Sequence, residues 1–191
     1  CDYCNCPAPT FTSSIPGYGI EIELVTTHEF GALAGQSTYR LYITTPNTTD
    51  VITSVTGNDE FPLSLATTTS FYQNVFGSSV ATSISPAMIF VAPDVAYDSW
   101  VTIGATSSAD DVDGNINVIP GDWIIDFEQG NSFTVNDPIG SGWYIIPPSS
   151  VNGISGSDNK VLLTQLTTDG NISGSFRVQV FPDGDQVNDD R

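Results

Sequence analysis

Basic residues are nearly missing from this 191-residue chain, which sets four Lys and Arg against 22 Asp and Glu for a formal net charge of −18 at pH 7. A phosphate-bearing partner is held by Lys and Arg that displace its counterions, so nucleic-acid binding is excluded on this balance. An anionic membrane surface is excluded for the same reason. Histidine is equally scarce, with His28 the single example, and no G-x-S-x-G turn exists to present a nucleophilic serine. Long apolar runs are absent too: the longest, Ala87 to Ala92, falls far below the ~18 residues of a membrane-spanning helix.

What is present points to a core built from strands. Hydrophobic residues make up 39% of the chain and only 14% are charged, so the acidity reflects missing cations rather than a disordered acidic block. Ser and Thr are abundant while Lys, Met and Glu are few, a composition that favours strands and turns over helices. The length suits one all-β domain.

All three cysteines, Cys1, Cys4 and Cys6, sit in the first six residues. With only the distant His28 as a fourth ligand they match zinc spacings poorly. Three readings stay open: a local disulfide that staples the tail, a leftover thiol that bonds another chain, and a lipid on Cys1. A chain beginning at Cys1 reads as a mature form whose leader has been removed.

Period-two alternation predicts the strands. Ile20-Glu21-Ile22-Glu23-Leu24 sends its aliphatics one way and its glutamates the other, and further strands are expected over 38–44, 51–56, 99–104, 123–127, 133–135, 143–146, 161–167 and 175–181. The one helix candidate is Pro86 to Ala92, bracketed by prolines. Turn signals such as Thr45-Pro46-Asn47, Asp113-Gly114-Asn115 and Asp169-Gly170-Asn171 separate them. The expected fold is all-β, an antiparallel β-sandwich of jelly-roll type over residues 17–182, with Ile22, Leu24, Leu41, Trp100, Ile103, Trp143, Leu163 and Val178 buried. An extended N-terminal tail, residues 1–16, and an acidic C-terminal tail, residues 183–191, lie outside it.

Candidate chemistry is thin. The five glutamates do not announce the carboxylate pair of a glycosidase, and Glu21 and Glu23 read as the solvated face of a strand, so no enzyme is expected. No cofactor is read from the chain apart from calcium. Asp110, Asp111, Asp113 and Asn115 concentrate hard oxygen ligands in one loop, without the glycine and glutamate of an EF-hand. Two N-glycosylation sequons, Asn47-Thr48-Thr49 and Asn171-Ile172-Ser173, fall in predicted hairpin turns. Trp100, Trp123 and Trp143 fit either core packing or a sugar-stacking platform, and their apolar neighbours favour the core.

Segments such as Ser37-Thr38-Tyr39-Arg40-Leu41-Tyr42, Asp98-Ser99-Trp100-Val101-Thr102-Ile103-Gly104, Gly142-Trp143-Tyr144 and Lys160-Val161-Leu162-Leu163-Thr164-Gln165-Leu166 together carry a likeness. Across roughly residues 37–186 the chain resembles a secreted β-rich domain of surface proteins from aquatic bacteria and algae. The resemblance implies an extracellular or cell-surface location and no active-site residue. In layout, a solitary domain with a tail, the chain is similar to pilus-like subunits that lend a strand to a neighbour. The function expected is therefore a structural subunit of a glycosylated extracellular filament or surface layer, whose partners are copies of itself and glycans. Residues 7–16 would pair with the next subunit, Phe11 and Ile15 filling apolar pockets there and the cysteines locking the joint. The alternative is a carbohydrate-binding or calcium-dependent adhesion module.

Overall fold

The computed structural model describes residues 15–113, 116–147 and 150–187. Its strands are β1 (Gly19–Thr27), β2 (Ser37–Thr44), β3 (Val51–Gly57), β4 (Leu63–Thr67), β5 (Trp100–Val101) and β6 (Asn117–Ile119), followed by β7 (Phe133–Val135), β8 (Ser141–Tyr144), β9 (Lys160–Thr168), β10 (Ile172–Ser175) and β11 (Arg177–Phe181). Two six-residue helices interrupt them, α1 (Pro86–Val91) and α2 (Trp123–Glu128). The protein is thus all-β, an antiparallel sandwich.

The strands form three sheets, ordered β1-β2-β9-β5, β11-β3-β8-β6 and β10-β4-β7, with every strand pair antiparallel. The pairing is nested: β2 joins β9, β3 joins β8 and β4 joins β7. That is the pattern of one long hairpin rolled up across sheets, the jelly-roll principle, here distributed over three sheets instead of two. The chain then revisits the other two sheets through β10 and β11.

One apolar core joins all three sheets. Leu41 and Ile43 from β2, Ile52 and Val55 from β3, Leu63 and Leu65 from β4, Phe133, Trp143 and Leu163 pack in it with Phe127. Aromatic rings form its centre: Trp123 lies 5.0 Å from Phe133 and 5.6 Å from Trp143, and Phe127 lies 5.6 Å from both Phe71 and Phe133. The indole N–H groups are satisfied, Trp123 Nε1 donating to Ser141 Oγ at 2.8 Å and Trp143 Nε1 to the Thr102 carbonyl at 2.8 Å. Buried tryptophans with paired N–H groups contribute apolar area without an orphan donor. A second, smaller cluster of Ala81, Ile84, Val95, Trp100 and Leu162 involves the first sheet through Trp100 and Leu162, with Ile89 of α1 packed against it. Strand β9 is consequently buried from Val161 through Thr168.

Most strands stand where alternation places them, and the departures have causes. Residues 123–127 form helix α2, because Trp123 and Phe127 sit one helical turn apart and both are buried, while Ile125 and Asp126 face solvent. The helix stops at Gly130, whose φ of +78° suits glycine, and the Asn131 N–H returns to the Asp126 carbonyl. Leu24, expected in the core, is 56% exposed, since the register shifts between Leu24 and Thr26 and carries that end of β1 beyond the core. Ile22 and Val178 are half-buried at the core margin. Over 99–104 only Trp100 and Val101 are regular strand, although the Thr102 and Gly104 N–H groups still bond the Leu163 and Leu162 carbonyls. Residues 175–181 divide into the end of β10 and β11.

Candidate functional site

The chain enters the sandwich at one pole. Ile15 accepts the Tyr18 N–H through its carbonyl at 3.3 Å, and Gly17, with φ of +90°, turns beside Pro46. The Tyr18 hydroxyl donates to Asp50 at 3.4 Å. Asp50 is fully buried and gathers this pole: Oδ1 accepts from Asn47 Nδ2 at 3.1 Å and from the Asp183 N–H at 2.9 Å, while its carbonyl accepts from the Ser155 N–H and hydroxyl at 3.0 Å each. A buried carboxylate needs several such donors to offset its lost hydration. Sequence reasoning missed Asp50, although Asn47-x-x-Asp50 in a turn carries a weak Asx signal.

A second buried carboxylate organises the 74–79 loop. Asp98 accepts the Asn74 N–H at 2.7 Å and the Ser78 N–H at 2.8 Å, one on each oxygen. Gly77 closes against it so tightly that a Cβ there would lie 1.8 Å from Asp98 Oδ2. Burial pushes the Asp98 carboxyl up to about 7; the loop N–H groups pull the other way, and the charge of Glu128 adds to the rise. Glu128, from α2, takes the neighbouring Ser79 N–H at 2.9 Å and the Ser79 hydroxyl. These carboxylates bind the protein's own backbone.

The surface differs sharply between sheets. Strand β1 is a nine-residue edge, and among the described residues no strand pairs with its outer side. Such an edge offers main-chain donors and acceptors to an incoming strand. Glu21 and Glu23 guard it, Glu21 in an ion pair with Lys160 Nζ at 2.5 Å and Glu23 accepting from the Tyr42 hydroxyl at 2.8 Å. Large apolar side chains stand in solvent, Phe30, Val75 and Ile139 in loops and Phe90 on α1 among them.

Each sequence candidate has a place in this frame. Asn47 and Asn171 are exposed, in the β2–β3 and β9–β10 turns, but these turns cross between sheets and are not hairpin tips. A sugar on Asn47 Nδ2 replaces one of its two hydrogens and leaves the other for Asp50. Asp110 Oδ2 is held by the Thr106 N–H and hydroxyl, both at 2.8 Å; partial burial raises its pKa, and these bonds with one from Ser107 reverse that to a net lowering. The side chains of Asp111 and Asp113, and all of Asn115, lie outside the described residues, and no group of three or more His, Cys, Asp or Glu converges among the described ones. Cys1, Cys4, Cys6 and Phe11 also lie outside the described residues, and Ile15 is half-buried at their border. His28 bonds Thr38 Oγ1 at 2.9 Å and packs edge-on to Tyr97 at 4.4 Å. All three tryptophans are buried, which removes the sugar-stacking platform.

Compared with protein-family models, with curated proteins and with solved structures, the chain matches none.

Proposed function

We propose that the protein is a structural subunit of an extracellular, glycosylated filament or surface layer that assembles head-to-tail through its N-terminal segment. The observation that carries this reading is polarity. The chain enters the sandwich beside Pro46 and Asp50, whereas Ile139 and the β3–β4 turn with Phe61 stand at the opposite end of β3. A segment at one pole and an apolar surface at the other make a contact that does not close on itself, which generates a filament. The buried carboxylates fit the same reading, since they brace loops and leave a rigid unit with no chemistry asked of it. Exposed Asn47 and Asn171 are the proposed glycan carriers, and the location is the cell surface or beyond.

Removal of residues 1–14 tests it. Folded monomers that no longer polymerise in sedimentation and negative-stain microscopy are expected; a shortened chain that polymerises like the parent refutes the donor role. Intact mass of native material from a glycosylating source is expected to exceed the sequence mass, and site mapping should place the excess at Asn47 or Asn171.

A further inference from the structure

Cations are so few in this chain that their placement is informative. Of the four Lys and Arg, Arg40 and Lys160 line one recess of about 260 Å³, on the first sheet and together with Tyr42 and Leu162. The other wall comes from Thr106, Asn152 and Asp158, in the segments that follow β5 and precede β9. Gly104 knits the two walls: its N–H bonds the Leu162 carbonyl at 2.8 Å, and a Cβ there would lie 1.8 Å from the Asn152 carbonyl oxygen. Its φ of +76° also suits glycine.

Bonds already made fix what each side chain has left to offer. Arg40 Nε donates to Gln165 Oε1 at 3.0 Å, and Gln165, fully buried, donates in turn to the Ala96 and Asp98 carbonyls at 2.9 Å each. A buried neutral amide thus positions the guanidinium, which makes no ion pair among the described residues and keeps terminal N–H groups as donors. Lys160 Nζ bonds Glu21 and lies 4.3 Å from the Tyr42 ring centroid. On the other wall, Asn152 Nδ2 donates to the Asp110 carbonyl at 2.9 Å and the Thr106 hydroxyl to Asp110 Oδ2 at 2.8 Å, so each has oxygen lone pairs to offer. Asp158 Oδ1 takes the Ser157 hydroxyl at 2.8 Å, which leaves Oδ2. Ile154 and Leu162 add apolar lining.

Charge balance decides among ligands. Glu21 matches Lys160, Glu23 stands opposite Arg40 in the register while bonding the Tyr42 hydroxyl, and Asp158 is exposed on the far wall, so a free anion meets no net positive charge. Donors on one wall and acceptors on the other call instead for groups that do both, and a hydroxyl does both. A ring that carries several hydroxyls and an apolar C–H surface is a sugar. The volume lies below the ~300 Å³ at which pockets for drug-sized ligands begin, which limits the occupant to about one ring. We propose that this recess binds one neutral hexopyranose unit of a glycan, Arg40 and Lys160 donating to its oxygens and Thr106, Asn152 and Asp158 accepting from its hydroxyls. The site uses no tryptophan platform, and it goes beyond the filament reading without depending on it.

The test titrates the full, isotopically labelled chain with the methyl glycosides of glucose, galactose and mannose and follows backbone amide shifts by NMR. One ring in an open recess binds weakly, so saturable shifts with a dissociation constant of order 1 mM are expected for at least one of them, centred on residues 40–42, 104–106 and 152–160. Arg40→Met is expected to weaken binding about tenfold or more, as loss of a charged donor does, with folding checked by melting because the change also strips Gln165 Oε1 of its partner. Asp158→Ala, at an exposed position that leaves the core alone, is expected to weaken it about threefold or more. No saturable shift with any of the glycosides up to ~100 mM, shifts centred elsewhere, or unchanged binding in both variants overturns the proposal. Tighter binding of glucuronate or inorganic phosphate than of all three glycosides overturns the neutral-sugar assignment and makes the recess an anion site.

Discussion

The first and second sheets are each four-stranded and antiparallel, yet the first carries a second apolar cluster over the β9–β5 part of its outer face and the second does not. Over the outer face of the first lie α1 and the 93–97 turn, with Trp100 and Leu162 beneath them. On the second, the row Arg177, Thr56, Gly142 and Ile119 is half-buried, with Gly142 buried, and no apolar cluster of that kind lies over it among the described residues. The two outer faces should therefore differ in how much folding energy they carry. Substitutions beneath the covering layer of the first sheet should cost folding; those on the outer face of the second should cost it little.

The most direct challenge to this division is Trp100→Ala, which empties the smaller core. A loss of about 3–5 kcal/mol is expected in denaturant unfolding. A loss below ~1 kcal/mol would mean that the covering layer is incidental. Next comes Gly77→Ala, which drives a methyl into the Asp98 carboxylate and should cost about 1–3 kcal/mol by the same measurement.

The Asp98 carboxyl adds a pH signature. Its pKa is near 7 when folded and 3.8 when unfolded, so between these values the folded state binds the extra proton. Stability therefore falls as pH rises from about 4 to 7 and is flat in this respect above it, with a slope of at most ~1.4 kcal/mol per pH unit. Urea midpoints measured across that range should show the decline, and Asp98→Asn should flatten it while lowering the overall value. A decline that survives in Asp98→Asn would assign it elsewhere.

Smaller effects lie on the outer sides. Glu21→Gln removes an ion pair that is largely solvent-exposed and should shift stability by less than ~1 kcal/mol, less still at high salt. Thr56→Ala, at a half-buried position on the outer face of the second sheet, should fall within about 0.5 kcal/mol by thermal melting. A larger change there would show that the open face carries folding energy after all.

Alternation makes the long strands legible in the amino-acid order itself, because Ile20-Glu21-Ile22 and Tyr39-Arg40-Leu41 each show one face to the core. It misleads at Trp123-Ile124-Ile125-Asp126-Phe127, where spacing four satisfies a strand and a helix alike. It passes over β4, β6 and all of β10 but Ser175, which lie among Pro, Gly, Ser and Thr that read as turns, although it does predict the equally short β7. The burial of Trp100, Trp123 and Trp143 follows from their apolar neighbours. The sites are harder to read. Asp98 meets Gly77 and Ser78 across about twenty residues without periodicity, and Asp50 gathers Tyr18 and Asp183 from nearly opposite ends of the chain.

The nested pairing also dictates an order of events. Ser37 of β2 finds its partner in Thr168 of β9, with nearly the whole sandwich between them in the sequence. The β1–β2 hairpin can close from local contacts, but the rest of its sheet must wait until β9 leaves the ribosome. Folds dominated by such distant pairings close slowly. The first sheet therefore stays incomplete for most of the chain's synthesis, and its β1–β2 hairpin waits as an unfinished edge until β9 arrives.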